Sequence, residues 1–141
     1  MFMGEFHHSI DEKGRIIIPS KLREGLKDDF IITRGLDGCL FIYPKCEWDN
    51  VISKYKELPN TIEKRQFMRI FLSGASTCEF DKQGRINVPK SLVLYAKLEK
   101  DCIIIGVDDH LELWSKEIWE NFISSNEEAM SSICDKLFSN D

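Results

Sequence analysis

At 141 residues and 16.4 kDa, with 43% hydrophobic and 30% charged residues, the chain has the size and composition of one compact domain. A net charge of −5 argues against wholesale attraction to a polyanion, and the longest apolar run, residues 102–107, is far shorter than the roughly 20 residues that cross a bilayer. The charge is uneven: residues 1–70 hold 12 Lys+Arg against 11 Asp+Glu and residues 71–141 hold 7 against 13, so the N-terminal half is the expected anion contact.

In chain order, the first residues place acids where a targeting leader needs basic residues and a long apolar stretch, so the chain is expected to act inside the cell. Asp-Glu-Lys-Gly-Arg at 11–15 predicts a tight turn: Asp11 accepts backbone hydrogen bonds two residues on, and Gly14 takes positive φ without penalty. Ile16, Ile17 and Ile18 then read as a strand stopped by Pro19, which suits the first turn of a short helix. Segments 30–34 and 39–43 read as a hairpin around the turn residues 35–38, followed by a helix from Lys45. Asn60, Thr61, Ile62 and Glu63 resemble a capping box opening a helix through Leu72. On that helix Arg65 and Arg69 interleave with Phe67, Ile70 and Phe71, which predicts packing, with the arginines pairing acids.

Shifting the chain by 70 positions lays residues 11–22 on 81–92 with six of twelve identities, including Asp11 on Asp81, Gly14 on Gly84 and Arg15 on Arg85. With one gap the match continues: Leu40 falls on Leu111, Tyr43 on Trp114 and Trp48 on Trp119. The second copy therefore repeats the prediction as a turn at 81–85, strands at 86–88, 102–106 and 110–114, and a helix from Lys116. Each copy of about 70 residues is barely large enough to hold a core alone, so the two are expected to share one. Trp48, Trp114 and Trp119 flank the hairpin ends and read as core or interface anchors. The organisation is a first repeat over 1–55, a connecting helix over 56–73, a second repeat over 74–122 and an acidic C-terminal helix or tail over 123–141.

The five cysteines are odd in number and form no Cys-x-x-Cys pair, which predicts reduced, mostly buried thiols. His7, His8 and His110 complete no metal-ligand spacing, so neither metal nor cofactor is expected.

The turns admit two readings. Arg15 and Arg85 either pair with Asp11 and Asp81 and merely hold the loops, or the duplicated turns form a basic platform for phosphates. Lys13 and Arg15, against Gln83 and Arg85, make the first turn the more cationic along one strand side.

The ordered set of motifs resembles the MraZ family, built from two AbrB/SpoVT-like swapped-hairpin units. The resemblance rests on the N-terminal Met-Phe-Met-Gly at 1–4, the 11–15 turn, Ile18-Pro19, Leu22-Arg23-Glu24, the Gly-Leu-Asp-Gly-Cys-Leu run at 35–40, Tyr43-Pro44, Trp48, Arg65, Arg69, residues 73–75, the 81–85 turn, residues 104–106 and 112–114. It covers residues 1 to about 122. It implies an α+β fold: a pseudo-twofold swapped-hairpin β-barrel made from the two repeats, with flanking and connecting helices. It also implies a sequence-specific DNA-binding transcriptional regulator of the bacterial cell-division and cell-wall gene cluster, cytoplasmic and nucleoid-associated, acting on double-stranded DNA and forming ring-shaped homo-oligomers such as an octamer. Head-to-tail subunits of such a ring present the same orientation, so direct repeats are the expected operator. The DNA contacts it implies are Lys13 and Arg15, with Lys82 and Arg85 as second-copy equivalents, carried on turns formed by Asp11, Gly14, Asp81 and Gly84. Two departures fall in the second copy: Val93 stands opposite Arg23, and Asn87 replaces an aliphatic residue.

Two other classes compete. Asp11 and Asp81 would form an acid/base dyad if they shared a proton, but each has an Arg four positions on and no catalytic motif accompanies them, so no enzyme and no small-molecule substrate is expected. A ring-forming scaffold would instead use the acidic C-terminal helix, where Ile118, Phe122 and Ile123, followed by Met130, Ile133, Leu137 and Phe138, suit docking onto the chain's own core, a neighbour or another protein.

Overall fold

Turn residues and β-branched runs alternate along the chain, and the computed structural model, which describes residues 1–139, shows what they build. The first half supplies β1 (Glu5–Ser9), β2 (Arg15–Ile17), α1 (Ser20–Leu26), β3 (Phe30–Arg34), β4 (Leu40–Pro44), α2 (Lys45–Lys56) and α3 (Ile62–Ser73). The second supplies β5 (Ser76–Cys78), β6 (Arg85–Asn87), α4 (Lys90–Tyr95), β7 (Asp101–Val107), β8 (His110–Ser115), α5 (Lys116–Asn126) and α6 (Met130–Leu137). The acidic tail expected over 123–141 includes Asn140 and Asp141, which lie outside the described residues. No helix among the described residues is long and apolar enough to cross a membrane.

The strands exchange partners between the copies. β1 pairs antiparallel with β7, β5 with β3, and β2 with β6, while β4 and β8 join the two hairpins. The fold is mixed α+β, but the expected closed barrel is not what the strands form. They make an open six-stranded sheet in the order β1-β7-β8-β4-β3-β5 and a separate two-stranded ribbon of β2 and β6. The reason is local. Each ribbon strand is three residues long, is followed at once by the residue before a proline, and spends its hydrogen bonds on its counterpart.

The register is unchanged when the copies are exchanged. Ile16 faces Ile86 with Arg15 opposite Asn87 and Ile17 opposite Arg85, and Phe41 faces Glu112 with Leu40 opposite Leu113 and Ile42 opposite Leu111. One cluster of buried side chains runs through both copies, from Ile16, Ile18, Leu22 and Leu26 to Ile86, Val88, Leu92 and Leu98. Truncating a fully buried member such as Leu92 to Ala costs about 2–5 kcal/mol.

Several local expectations shift by a residue. Pro19 and Pro89 are extended N-caps, φ −53° and −55°, rather than first-turn residues. Thr61, not Asn60, caps α3, and its hydroxyl accepts from the Lys64 amide, so no capping box forms with Glu63. α3 packs through Phe67 and Phe71 on Trp48 and Tyr55, and its last turn is pinned when Arg34 and Thr33 donate to the Ile70 and Phe71 carbonyls. Arg65 and Arg69 are exposed, and Arg65 donates to Asn60 rather than pairing an acid. Trp114 packs against Trp119 and Phe122, so the tryptophans anchor the helices that follow each hairpin. All five cysteines are free thiols: Cys39, Cys78 and Cys102 are buried, whereas Cys46 and Cys134 are exposed on helices.

Candidate nucleic-acid interface

Both Asp-x-x-Gly-Arg segments fold into the same turn. The Gly14 amide donates to the Asp11 carbonyl at 3.0 Å and the Asp11 amide to the Arg15 carbonyl at 3.0 Å; Gly84, Asp81 and Arg85 repeat this at 3.0 and 2.9 Å. The Asp11 carboxylate accepts from the amides of Lys13 and Arg15 at 3.0 and 2.8 Å, and the Asp81 carboxylate from those of Gln83 and Arg85, both at 2.9 Å. Gly14 and Gly84 sit at φ +81° and +76°, a region that penalises any side chain. The Gly14 carbonyl accepts from Val88 and the Gly84 carbonyl from Ile18, so each turn is sewn to the other copy's ribbon strand.

The arginines pair with their own turn aspartates, as the first of the two readings has it, without using up their donors. Arg15 Nε donates to Asp11 at 2.7 Å and Arg85 Nε to Asp81 at 2.8 Å. A guanidinium has five N–H donors, so this contact fixes its plane and leaves the four on the terminal nitrogens without partners among the described residues. The backbone amide of Arg15 holds the Asp11 carboxyl below the usual carboxylate range, assisted by the Arg15 side chain and the Lys13 amide; Arg85 and Gln83 do the same for Asp81. Each carboxylate is engaged by the amides and arginine of its own turn, partners that favour the ionised form over the shared proton of an acid/base dyad.

The ribbon presents these arginines on one face. Side chains alternate along a strand, and cross-strand partners share a side. Ile16 and Ile86 are buried beneath, while Arg15, Ile17, Arg85 and Asn87 face away from the core. Arg15 and Arg85 occupy diagonal positions, about 7–8 Å apart at the backbone. Lys13 and Lys82 are exposed within their turns, before the strands begin, so Lys13 does not share a strand face with Arg15 as the period of two suggested.

The surroundings of the turns differ. Arg23 on α1 lays its guanidinium over Gly84, in the space a Cβ there would need, and with Lys27 and Lys82 it lines a groove beside the second turn. No carboxylate among the described residues pairs with Arg23. At the equivalent place on α4 stands Val93, and the groove beside the first turn is floored by Val88, Val93, Leu94 and Leu98. Each groove is lined by three basic and three acidic side chains, so once neighbours are included neither turn is the more cationic; what differs is a guanidinium over the second turn and an apolar floor beside the first. Arg23 is the functional candidate that turn motifs alone overlook; the available signal was its mismatch with Val93 between the copies.

A two-stranded ribbon carrying paired arginines on its outer face, flanked by lysine-bearing turns and standing apart from the main sheet, defines a protein of the duplicated-turn, ribbon-bearing α+β class. Residues 1–70 and 71–140 each match the family model described as "MraZ protein, putative antitoxin-like". Proteins called transcriptional regulator MraZ from Natranaerobius thermophilus and Pediococcus pentosaceus are each 51% identical over 138 residues, covering 97% of this chain and 96% of theirs. One from Desulforamulus reducens is 50% identical over 138 residues, 97% of each chain. The chain belongs to the MraZ family.

Proposed function

We propose that this protein is a sequence-specific DNA-binding transcriptional regulator that sets the β2–β6 ribbon and its two turns against double-stranded DNA. The observation that carries the reading is the state of Arg15 and Arg85: each is oriented by its turn's Asp through Nε alone and keeps its terminal N–H groups for another acceptor. The major groove admits a two-stranded β-ribbon, and arginine reads guanine there or clamps phosphates. Lys13, Lys82 and Arg23 add phosphate contacts. The exchanged strand pairings support two swapped-hairpin units, first repeat over 1–55 and second over 74–122, joined through 56–73.

The regulated site in this reading is the promoter of the bacterial cell-division and cell-wall gene cluster, and the protein works in the cytoplasm on the nucleoid. A net charge of −5 makes single contacts weak, and a ring-shaped homo-oligomer such as an octamer offsets this, since linked sites raise avidity by roughly 10²–10⁴. Successive head-to-tail subunits present the same orientation, which suits direct repeats.

The test is a gel shift with the Lys13→Ala/Arg15→Ala double variant. Loss of binding to upstream DNA by an otherwise oligomeric protein is expected, and retained binding overturns the reading. A site with one repeat inverted should bind more weakly; unchanged affinity removes the direct-repeat claim. The second reading, a ring-forming scaffold without DNA readout, is favoured by the exposed apolar face of α6 and predicts no specific shift of upstream DNA by the wild-type protein.

A further inference from the structure

α6 is an amphipathic helix that touches little of its own chain. None of its residues is buried, and Met130, Leu137 and the adjoining Phe138 are 73%, 72% and 78% exposed. Met130, Ile133, Cys134, Leu137 and Phe138 follow i, i+3, i+4, i+7 and i+8, which gathers them on one stripe. A helix of this length is marginal in water without a packed face. The stripe therefore needs a cover.

The same chain carries an uncovered groove that its pseudo-symmetric counterpart lacks. Between the first turn and α4 lies a depression of about 1000 Å³ floored by Val88, Val93, Leu94 and Leu98, with Leu94 67% exposed. In the other half Arg23 and Glu24 occupy the places of Val93 and Leu94, and that groove is charged. Leaving Lys13 and Glu12 to the turn itself, the rim of the apolar groove carries Lys90 and Lys100 against Glu99. The described tail carries Glu127, Glu128 and Asp135 against Lys136. Helix-in-groove recognition uses this i, i+3, i+7 set of apolar anchors, and the residual charges are of opposite sign.

We propose that α6 of one copy docks, apolar stripe downward, in the groove between the first turn and α4 of the next copy. Stripe and groove are different surfaces, so the contact is heterologous and propagates head to tail instead of stopping at a pair. It rests on the assembly reading above and assigns its interface. Because residues 11–14 form one wall of the groove, docking also braces the first turn, the one that lacks an arginine cover.

Cys134 lies on the stripe and supplies the test. In a full-length Cys46→Ser background, Leu94→Cys is introduced and the protein is oxidised mildly with copper–phenanthroline. The expected result on non-reducing gels is a ladder extending past the dimer, formed by Leu94→Cys of one copy and Cys134 of the next and missing from Cys46→Ser alone. Cross-linking that stops at dimers, or that stays within one chain, overturns the proposal. In parallel, Leu137→Asp is compared with wild type by light scattering over a concentration series. The midpoint of assembly should move to higher concentration by on the order of tenfold or more. An assembly that persists unchanged in Leu137→Asp and yields no ladder overturns the docking but leaves oligomerisation standing. A wild-type protein that is monomeric throughout removes the assembly reading itself, and the docking with it.

Discussion

The two turns are near copies in backbone and hydrogen bonding, yet one is roofed by an arginine and the other opens on an apolar hollow. Two adjacent exchanges, Arg23 and Glu24 in one short helix for Val93 and Leu94 in the other, separate them. Duplication preserved the part that orients the guanidinium, namely Asp, Gly and Arg at fixed spacing. It released the part that decides what sits beside it. The conserved geometry is the device for presenting a cation, and the altered neighbours give each device its own task.

The largest expected effect breaks the comparison at the arginines. Lys13→Ala/Arg15→Ala and Lys82→Ala/Arg85→Ala should each weaken operator binding by about 100-fold or more, and each should lower the slope of log affinity against log salt by about one per lost phosphate contact. Gel shifts over a salt series check both, and a turn whose double variant leaves affinity and slope intact is structural only. A second test contrasts the glycines. A Cβ on Gly14 falls 2.6 Å from the Val88 carbonyl oxygen, which is backbone, whereas one on Gly84 meets the movable Arg23 side chain. Gly14→Ala should therefore cost about 2–3 kcal/mol in urea unfolding and Gly84→Ala about 1 kcal/mol. Equal losses contradict the difference in neighbours. Third, Val93→Arg restores the missing cation. Stability should change by less than about 1 kcal/mol at this half-buried site, the salt slope should steepen by about one, and the hollow beside the first turn should fill.

The smallest effect concerns another repeat-equivalent pair, Cys39 and His110. Burial works against a charged His110 ring, but hydrogen bonds to Glu112 and Asp109 outweigh it and hold the pKa above the ordinary histidine value. A raised folded pKa means that this contribution is complete below about pH 6.5 and is lost as pH rises through the folded value. The melting temperature of wild type should exceed that of His110→Gln by more at pH 6 than at pH 8.5; a constant difference removes the charge contribution. For Asp11 and Asp81 the sign is opposite. Their lowered pKa values support the turns above about pH 3.9 and fail only as pH falls further, so the turns should stay intact at pH 5.

Much of this was legible in the residues. Turn chemistry marked both Asp-x-x-Gly-Arg segments, β-branched runs marked β2, β3 and β7, and the turn residues ahead of them marked β4 and β8, because those signals are local. The helix starts at Lys45 and Lys116 were legible for the same reason. Partner choice was not. That β1 joins β7 and β5 joins β3 is a pairing across roughly a third of the chain or more, and no short pattern encodes it. The open sheet in place of a barrel depends on how three-residue strands spend their hydrogen bonds. Arg65 illustrates a different failure, since a helix N-terminus beside Asn60 offered it carbonyl and amide oxygens instead of an acid. Arg23 needed three dimensions to be found over Gly84, a residue of the other copy.

The strand exchange bears on how such a molecule can diversify. Two identical single-unit chains associating across a dyad must show the same residue at both related places. Tethering the units by α3 lifts that obligation, so a mutation lands on one side alone. The surface around the two turns can thereby acquire a left and a right, and, in the DNA-binding role proposed above, two unlike ends would tell which way a stretch of duplex is pointing.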